Sequence, residues 1–390
     1  MNVPCLFTFT PAGNFYFGGN IGFNDGFYVE SKKFPQQTTI LGALRAAILI
    51  GNGLLVRHKH SRYIPKEKKE KAAILTGTSK VNCFEETPDF GMIEKISPVF
   101  LVRSEENQIK DAYFNVPLDV VKGYDYYKIL KYKKEEKALS SNCGIERKFI
   151  ALSDKDAKDE YSGSFLGGSD FWIKYFQGIC FSNNIIDLGD KDSSPFISYS
   201  QVGIGLEKRK TKEGMFYVKN EYSLKPGYAF AVIVWLKEKD IKIANNITVG
   251  GDQSVFHINK TEVSTQKELE RNPIIKSFLD NKTIIRNALE ETVLPCKICT
   301  ISPLILDSKL WFEKSEHCIV YKISSVRMLN SFFDVKNSTK KFVEDGKKRF
   351  KTDAYKMVPA GSVFYFKDDI EGYDNEFLER IGFNNCVTLQ

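Results

Sequence analysis

The sequence "KKFPQQTTILGALRAAILI", residues 32–50, decides how the first half of the chain folds. Thr38 or Thr39 is a suitable N-cap for a helix, and the apolar residues that follow recur at helical spacing on one side. Gly42 lies away from that side, and Arg45 lies at its edge. The strand-like alternation "CLFTFTP" and the Gly-rich turn "AGNFYFGGN" precede this helix. Strand, loop and helix in this order predict the start of a split βαβ unit.

Gly42 is an unusual choice for the start of a helix. A glycine there lowers helix stability by about 1 kcal/mol relative to alanine. One explanation is that a ligand approaches the backbone closely, and a helix N-terminus attracts anions such as phosphate. The other explanation is a neighbouring strand that packs tightly on the helix. The segment alone leaves both explanations open.

Composition limits the class of protein. The 390 residues are 42% hydrophobic and 27% charged, which is typical of a soluble globular chain with room for two domains. The net charge of +7 is mild and is compatible with a local basic groove. The N-terminus does not resemble a signal peptide, and the most apolar segment, residues 41–56, is too short to span a bilayer. We therefore expect a cytoplasmic protein whose eight cysteines are small buried residues.

The second half carries the clearest strand signals. In "PGYAFAVIVWL" a Pro-Gly turn precedes a buried strand from Phe230 to Leu236, and "KIANNITVGGDQ" ends a strand at Gly250 and Gly251. "TQKELERNPIIKSFLD" is mostly helical. In the first half, the charged run "YYKILKYKKEEKALSSNCG" predicts an exposed helix or an insertion. Strands and helices interleave without a regular βαβα order, so the sequence favours an α+β fold.

Three motifs suggest chemistry. "CKIC", Cys296 to Cys299, lacks a second pair of zinc ligands and favours strand packing. "RHKHSRY", residues 57–63, places His58 and His60 among cations, which fits a solvated loop, a phosphate contact or the general base of a ribonuclease. No residue is assigned a catalytic or metal-binding role.

"VGIGLEKRKTKEGMFY", residues 202–217, has the third motif. It lacks the last glycine of a dinucleotide fingerprint, and an extended aromatic segment follows it instead of a helix. We therefore predict a hairpin tip. Its cations either neutralise a nucleic-acid backbone beside stacking aromatic residues or are simply solvated.

Taken in order along the chain, these segments resemble the RAMP superfamily of CRISPR proteins. They are most similar to the family of type III-B (Cmr) subunits that cap the 5′ end of the guide RNA. The resemblance rests on "FPQQTTILGALR", "ISPVFL", "YFNVPLD", "VGIGLEKRKTKEGMFY", "VGGD", "VPAGSVFYF" and "IGFN".

The resemblance implies two fused ferredoxin-like (RRM-like) RAMP domains with insertions. We expect residues 1–200 to form the N-terminal domain and residues 201–390 the C-terminal domain, packed tightly on the first. It also implies a non-catalytic subunit without a cofactor, whose partners are the guide RNA, the large polymerase-like subunit and the backbone RAMP subunit, and indirectly the target RNA. The alternatives are a RAMP-type endoribonuclease that processes guide precursors through His58 or His60, and a nucleotide-binding enzyme that uses the "VGIG" loop.

The same resemblance implies the RNA-binding residues. The helix with Gly42 and Arg45 would present its N-terminus and a guanidinium to the guide backbone, the glycine-rich loop would lie beneath the same strand, and the cationic hairpin would wedge beside the handle nucleotides. The complete expected set is Lys33, Gly42, Arg45, Lys208, Arg209, Lys210, Lys212, Gly250 and Gly251.

Overall fold

The computed structural model describes most of the chain. The described residues are 3–18, 28–58, 61–79, 88–106, 108–122, 127–129, 134–140, 146–150, 160–161, 165–179, 184–207, 210–250, 253–280, 296–306, 311, 314–315, 317–320, 324–326, 355–366 and 376–389. Among them, no helix combines the length and the apolar character needed to cross a membrane.

Strands and helices alternate irregularly along the chain. The strands are β1 Val3–Pro11, β2 Tyr28–Glu30, β3 Val56–His58, β4 Ser61–Tyr63, β5 Ile93–Ile96, β6 Phe100–Glu105, β7 Gln108–Asn115, β8 Val120–Lys122, β9 Tyr127–Ile129, β10 Lys134–Ser140, β11 Glu146–Ile150, β12 Glu160–Tyr161, β13 Phe165–Gly167, β14 Ile185–Asp187, β15 Phe196–Glu207, β16 Lys210–Leu224, β17 Tyr228–Leu236, β18 Asn246–Val249, β19 Ser254–Glu262, β20 Cys296–Thr300, β21 Leu304–Leu306, β22 His317–Ile319, β23 Ser324–Val326, β24 Tyr355–Val358, β25 Val363–Phe366 and β26 Cys386–Leu389. The α-helices are α1 Gln37–Gly51, α2 Lys69–Thr76, α3 Ser169–Gln177, α4 Pro273–Asp280 and α5 Glu376–Arg380, and short 3₁₀ helices cover Lys66–Lys68, Val263–Thr265 and Leu269–Arg271.

The main sheet is built around β17. Its strand order is β14-β13-β7-β6-β17-β1-β19-β18, and β5 also pairs with β17. β17 pairs antiparallel with β1 from Val3↔Leu236 to Phe9↔Phe230. Its other edge is shared by β6 and β5. The strand predicted from the Pro-Gly turn is therefore confirmed, and it is the centre of the fold.

Alternating residues of β17 supply both faces of the sheet. Phe230, Val232 and Val234 join the core beneath α1, together with Phe7 of β1. Ala231, Ile233 and Trp235 join the opposite core, which includes α3, α4 and residues of β20, β25 and β26. Because both faces are covered, β17 is a continuous apolar run with no polar alternation.

A buried polar cluster lies where β20 and β25 meet α3. The Asp119 carboxylate, fully buried, forms an ion pair with Lys297 and accepts a hydrogen bond from the Tyr175 hydroxyl at 3.0 Å. The Tyr365 hydroxyl donates to the same carboxylate at 3.4 Å. Burial raises the pKa of Tyr175, and the nearby Asp119 carboxylate raises it further. This cluster joins the C-terminal sheet to the rest of the protein through one buried carboxylate whose charge is paired and hydrogen-bonded.

The fold is a mixture of helix and strand, as the α+β prediction requires. Strands from both sides of residue 200 join in the main sheet. The two ferredoxin-like units, and the division into domains 1–200 and 201–390, stay predictions.

Two local expectations are wrong. Helix α1 begins at Gln37, and its N-cap is Gln36 without a side-chain bond, not Thr38 or Thr39. The reason is that the Thr39 and Ile40 N–H groups both donate to the Gln36 carbonyl, at 2.9 and 3.2 Å, so the N-cap lies two or three residues earlier than predicted. In the charged run that begins at Tyr126, the predicted helix is wrong, because its described residues form strands β9 and β10; the alternative that the run is an insertion stays a prediction.

Candidate nucleic-acid interface

Several predicted site residues meet at one end of the main sheet. The chain leaves β1 there, α1 begins there, and β18 runs parallel to β1 and ends there. Short backbone contacts tie these parts together: the Lys32 N–H donates to the Phe17 carbonyl at 2.9 Å, and the Tyr16 N–H donates to the Ser254 hydroxyl at 3.3 Å. We name the surface formed by Tyr16, Lys32, Lys33, residues 36–42 and Gly250 the α1 end.

Lys33 lies at the α1 end and is held by the protein itself. Its ammonium donates to the Leu188 carbonyl at 2.8 Å and lies 5.9 Å from the centre of the Tyr222 ring. Burial lowers the pKa of Lys33, and the carboxylates of Glu30 and Asp187 oppose that effect. Its role in binding RNA stays a prediction.

Lys32 was not among the residues predicted from the sequence. Compared with Lys33, its charge is offset less by nearby carboxylates. Burial lowers its pKa, and no carboxylate offsets that effect among the described residues. An anion that approaches such a lysine stabilises its charged ammonium form. The sequence "KK" shows that Lys32 is next to the predicted site residue Lys33. Sequence alone could not tell which of the two lysines lacks a nearby carboxylate.

Gly42 is half-buried in the second turn of α1 and faces open space. A Cβ atom built there would meet no heavy atom within 4 Å. The alternative that a neighbouring strand packs tightly against Gly42 is therefore wrong for the part of the chain that the structure describes. No acidic residue lies in the first turn of α1, and no side chain caps it. This helix N-terminus keeps its positive potential.

Arg45 is placed differently from the expectation that it faces a ligand. It is 2% exposed, and its guanidinium donates inward to the carbonyls of Gly77 and Ser79, at 3.1 and 3.5 Å. Burial lowers the pKa of Arg45 to about 10, against the opposing effect of Asp89. The reason for the difference is that α1 is buried on nearly every side after Gly42, so the edge of its apolar face is also interior.

Gly250 forms a tight turn between β18 and β19. Its φ of +78° lies in the left-handed region that favours glycine, and the Gln253 N–H donates to its carbonyl at 3.3 Å. A Cβ atom at Gly250 would lie 3.4 Å from the Tyr16 carbonyl oxygen. The turn that the sequence suggested is confirmed, and the approach of a ligand stays a prediction. Gly251 lies outside the described residues.

The predicted hairpin is confirmed as β15 and β16. The two strands pair antiparallel from Phe196↔Leu224 to Glu207↔Lys210, with a register shift after Ile204. Lys208 and Arg209, between the strands, lie outside the described residues. Lys210 and Lys212 belong to β16. Because β16 and no helix follows the "VGIG" segment, a dinucleotide-binding loop has no structural basis there.

The base of this hairpin lies beside the α1 end. Phe15 and Tyr222 exchange backbone hydrogen bonds at 2.7 and 3.1 Å. The Lys219 ammonium pairs with Glu221 at 2.7 Å and lies 4.6 Å from the centre of the Tyr16 ring. The backbone of β16 runs 12 residues from Tyr222 to Lys210, so the far end of this strand is roughly 40 Å from the base.

The histidine segment lies at the other end of α1. His58 ends β3, which pairs with β4, and His60 lies outside the described residues. Helix α1 has 15 residues and is therefore about 22 Å long. Because β3 follows the C-terminal end of α1, its histidine is remote from the lysines at the α1 end.

The CKIC strand is confirmed as a packing element. Cys296 belongs to the small core around Trp311, and Cys299 belongs to the core beneath α3. Since they face opposite sides of β20, they cannot bind one ion together. Burial raises the pKa of Cys299 to about 12, and its sulfur lies 3.1 Å from the Tyr175 hydroxyl. Among the described residues, no group of three or more His, Cys, Asp or Glu side chains is close enough to hold a metal.

A second polar surface surrounds the N-terminus of α3. It is a cleft of about 250 Å³, which we name the α3 cleft, and its lining residues are Arg103, Lys110, Asp111, Tyr113, Ser169, Asp170, Asn184, Glu268 and Arg271. Asp111 accepts hydrogen bonds from the Ser169 N–H at 2.9 Å and the Ser169 hydroxyl at 2.5 Å. The Arg271 guanidinium pairs with Glu268 at 2.8 Å. The cations and carboxylates of this cleft largely satisfy one another.

Comparison with known sequences gives the class of the protein. Residues 7–389 match the sequence model of a family of CRISPR-associated proteins. The chain belongs to that family, which is named Cas_Cmr3. No curated protein matches the chain.

Solved structures with a similar chain come from two related assemblies. A chain of the type III-B Cmr-beta complex bound to cognate target RNA and AMPPnP has 12% identity and a TM-score of 0.45, with 99% of each chain covered. The same complex with target RNA alone gives 12% identity and a TM-score of 0.44, covering 98% of this chain and 96% of the other. The Csm3-Csm4 subcomplex of a type III-A complex gives 10% identity and a TM-score of 0.35, covering 95% and 96%.

Proposed function

We propose that this chain is a non-catalytic subunit of a type III-B effector complex and that it seats the 5′ handle of the guide RNA on the α1 end. Membership of the Cas_Cmr3 family gives the class of complex. The partners in this proposal are the guide RNA, the large polymerase-like subunit and the backbone RAMP subunit, in the cytoplasm.

The observation that carries the RNA site is the unmet positive potential of the α1 end. Lys32 is partly buried with no offsetting carboxylate among the described residues, and the first turn of α1 has neither a cap nor an acid. Gly42 leaves open space on the same helix. A phosphate can therefore approach the helix without displacing any described side chain near Gly42.

The remaining predicted residues have different roles in this proposal. Lys33 and Gly250 shape the same surface, and Lys208, Arg209, Lys210 and Lys212 extend the cationic contact along the hairpin. Arg45 acts from inside: it holds the carbonyls of Gly77 and Ser79 and so positions α1 without touching RNA.

The proposal is tested with a matched pair of charge deletions. The Lys32→Ala, Lys33→Ala variant should bind a guide-handle oligonucleotide about ten- to a hundredfold more weakly, because two phosphate contacts are lost. The Lys66→Ala, Lys71→Ala control removes the same charge from exposed positions beside the C-terminal end of α1 and should bind nearly normally. Equal losses in both variants would show non-specific attraction and contradict the proposal.

The endoribonuclease alternative is tested separately. We expect a His58→Ala, His60→Ala variant to assemble with guide RNA as the unchanged chain does, since the histidine segment is remote from the α1 end. The purified chain is incubated with labelled precursor RNA, with and without EDTA. Specific cleavage that disappears in the double variant would establish the nuclease instead.

A further inference from the structure

The outer edge of the β15–β16 hairpin is unusual for a protein surface. Six consecutive residues of β15, 197–202, are exposed, including Ile197, Tyr199 and Val202, which is 56% exposed. The sequence from Phe196 to Leu206 has no charged residue and no proline. Natural proteins protect long edge strands with charges, prolines, bulges or short length.

Most other sheet edges in the described part of the chain are short, and the exception, the seven-residue β10, is rich in Lys and Glu. β2 and β14 have three residues each and β18 has four, whereas β15 has twelve. β14 also ends with Asp187. Among the described residues, β15 pairs with β16 alone. A long, uncharged edge of this kind is expected to pair with another strand.

The register identifies the free backbone groups. The Lys225 N–H donates to the Pro195 carbonyl at 2.8 Å, so this pair is hydrogen-bonded, and hydrogen-bonded and non-bonded pairs alternate along antiparallel strands. Starting from Phe196↔Leu224, the N–H and C=O groups of Ser198, Ser200 and Val202 therefore point away from β16.

The opposite edge of the same hairpin already accepts strand addition. On β16 the corresponding outward groups are used: Tyr222 exchanges backbone bonds with Phe15, and the Ser31 N–H donates to the Asn220 carbonyl at 3.0 Å. β2 pairs parallel with β16 from Val218↔Tyr28 to Asn220↔Glu30. Near its base, the β16 edge of the hairpin is therefore paired by the chain itself, whereas the β15 edge opposite is not paired by any described residue.

We propose that β15 is a docking edge for an extended, uncharged strand of a partner protein subunit, which pairs with Ser198, Ser200 and Val202 and covers Ile197 and Tyr199. RNA does not fit this edge, since residues 196–206 offer no cation to neutralise phosphate. The inference goes beyond the proposed seating of RNA, because it assigns a protein contact to the part of the hairpin between its base and its cationic tip.

The test uses the full chain, with the remaining subunits of its effector complex expressed together as the probe. Ser200→Pro deletes one outward N–H and no bond to β16, whereas the control Ser200→Ala loses only the hydroxyl, which donates to Asn220 at 2.8 Å. Val202→Lys places a charge on the edge and does not depend on proline geometry. Binding of the probe to immobilised chain is measured beside affinity for guide RNA and the melting temperature.

We expect Ser200→Pro and Val202→Lys to weaken subunit binding about tenfold, equivalent to about 1.4 kcal/mol, with Ser200→Ala within about twofold of the unchanged chain. Guide-RNA affinity should stay the same, which separates this result from a failure of the RNA site. If Ser200→Pro lowers the melting temperature, the subunit binding of Val202→Lys alone is used to judge the proposal. Unchanged subunit binding, a loss of RNA affinity alone, or a homodimer that Ser200→Pro dissociates would overturn the proposal.

Discussion

The N-termini of α1 and α3 have the same unpaired N–H groups but differ in the acceptors that the chain provides for them. Each helix start carries unpaired N–H groups and a positive partial charge. At α3, the Asp111 carboxylate is the negative partner and accepts hydrogen bonds from the Ser169 N–H and hydroxyl, and Asp170 lies in the first turn. At α1, no described carboxylate lies in the first turn or offsets Lys32, whose ammonium adds positive charge. The comparison shows that a carboxylate of the chain completes the start of α3, whereas no described carboxylate completes the start of α1.

The largest expected effect concerns the start of α3. Asp111→Ala leaves the Ser169 N–H, the Ser169 hydroxyl and the Asn184 amide without their acceptor. We expect the free energy of unfolding in urea to fall by about 2–4 kcal/mol, because buried donors lose their partner and α3 loses its cap. Asp170→Ala, in the first turn of α3 but exposed, should cost under about 0.5 kcal/mol. Similar losses in the two variants would show that Asp111 is not the cap that completes α3.

The second effect concerns the start of α1. Lys32→Met keeps the aliphatic stem and removes the charge, and we expect RNA affinity to fall about tenfold while the slope of log affinity against log salt decreases by about 0.7. Lys66→Met, exposed near the opposite end of α1, is the control. An unchanged slope for Lys32→Met would mean that its ammonium meets no phosphate.

A smaller effect on stability should distinguish Gly42 from Gly51, the two glycines of α1. Gly42→Ala should raise the free energy of unfolding by up to about 1 kcal/mol, since its Cβ enters open space and alanine is the better helix former. Gly51→Ala should instead destabilise the chain, because its Cβ would lie 2.8 Å from the backbone of Ile243. Stabilisation by Gly42→Ala together with weaker RNA binding would show that glycine is retained for the ligand. A destabilised Gly42→Ala variant would contradict the observation that a Cβ atom at Gly42 enters open space.

The smallest effect is a pH dependence. Burial lowers the pKa of Lys32, so the charged form destabilises the folded chain at neutral pH. Between the folded pKa and the ordinary value near 10.5 the unfolded chain binds more protons, and stability should therefore rise with pH in that range. Relative to Lys32→Met, the unchanged chain should be less stable at neutral pH and equally stable above that range. A constant difference measured by urea unfolding would refute this linkage.

Sequence reasoning located the elements whose signals are local. The apolar run after Pro226 gave β17, and the glycine-flanked cations after Val202 gave the hairpin, because strand composition and turn residues sit within a few positions of each other. It placed Arg45 at a ligand because the carbonyls that bind it belong to Gly77 and Ser79, over thirty residues later. The strands near Lys134 were not identified because their Lys- and Glu-rich sequence lacks apolar alternation.

The central position of β17 also bears on how the chain is made. Phe7 of β1 pairs with Val232, about 225 residues later, so the first strand leaves the ribosome long before its partner exists. At roughly 5–20 residues per second, that delay is on the order of tens of seconds. Throughout it the apolar sequence "CLFTF" has neither neighbour, since β19 is translated later still. Newly made chains should therefore depend on a chaperone that covers β1 until β17 is translated, and yields should respond to translation speed.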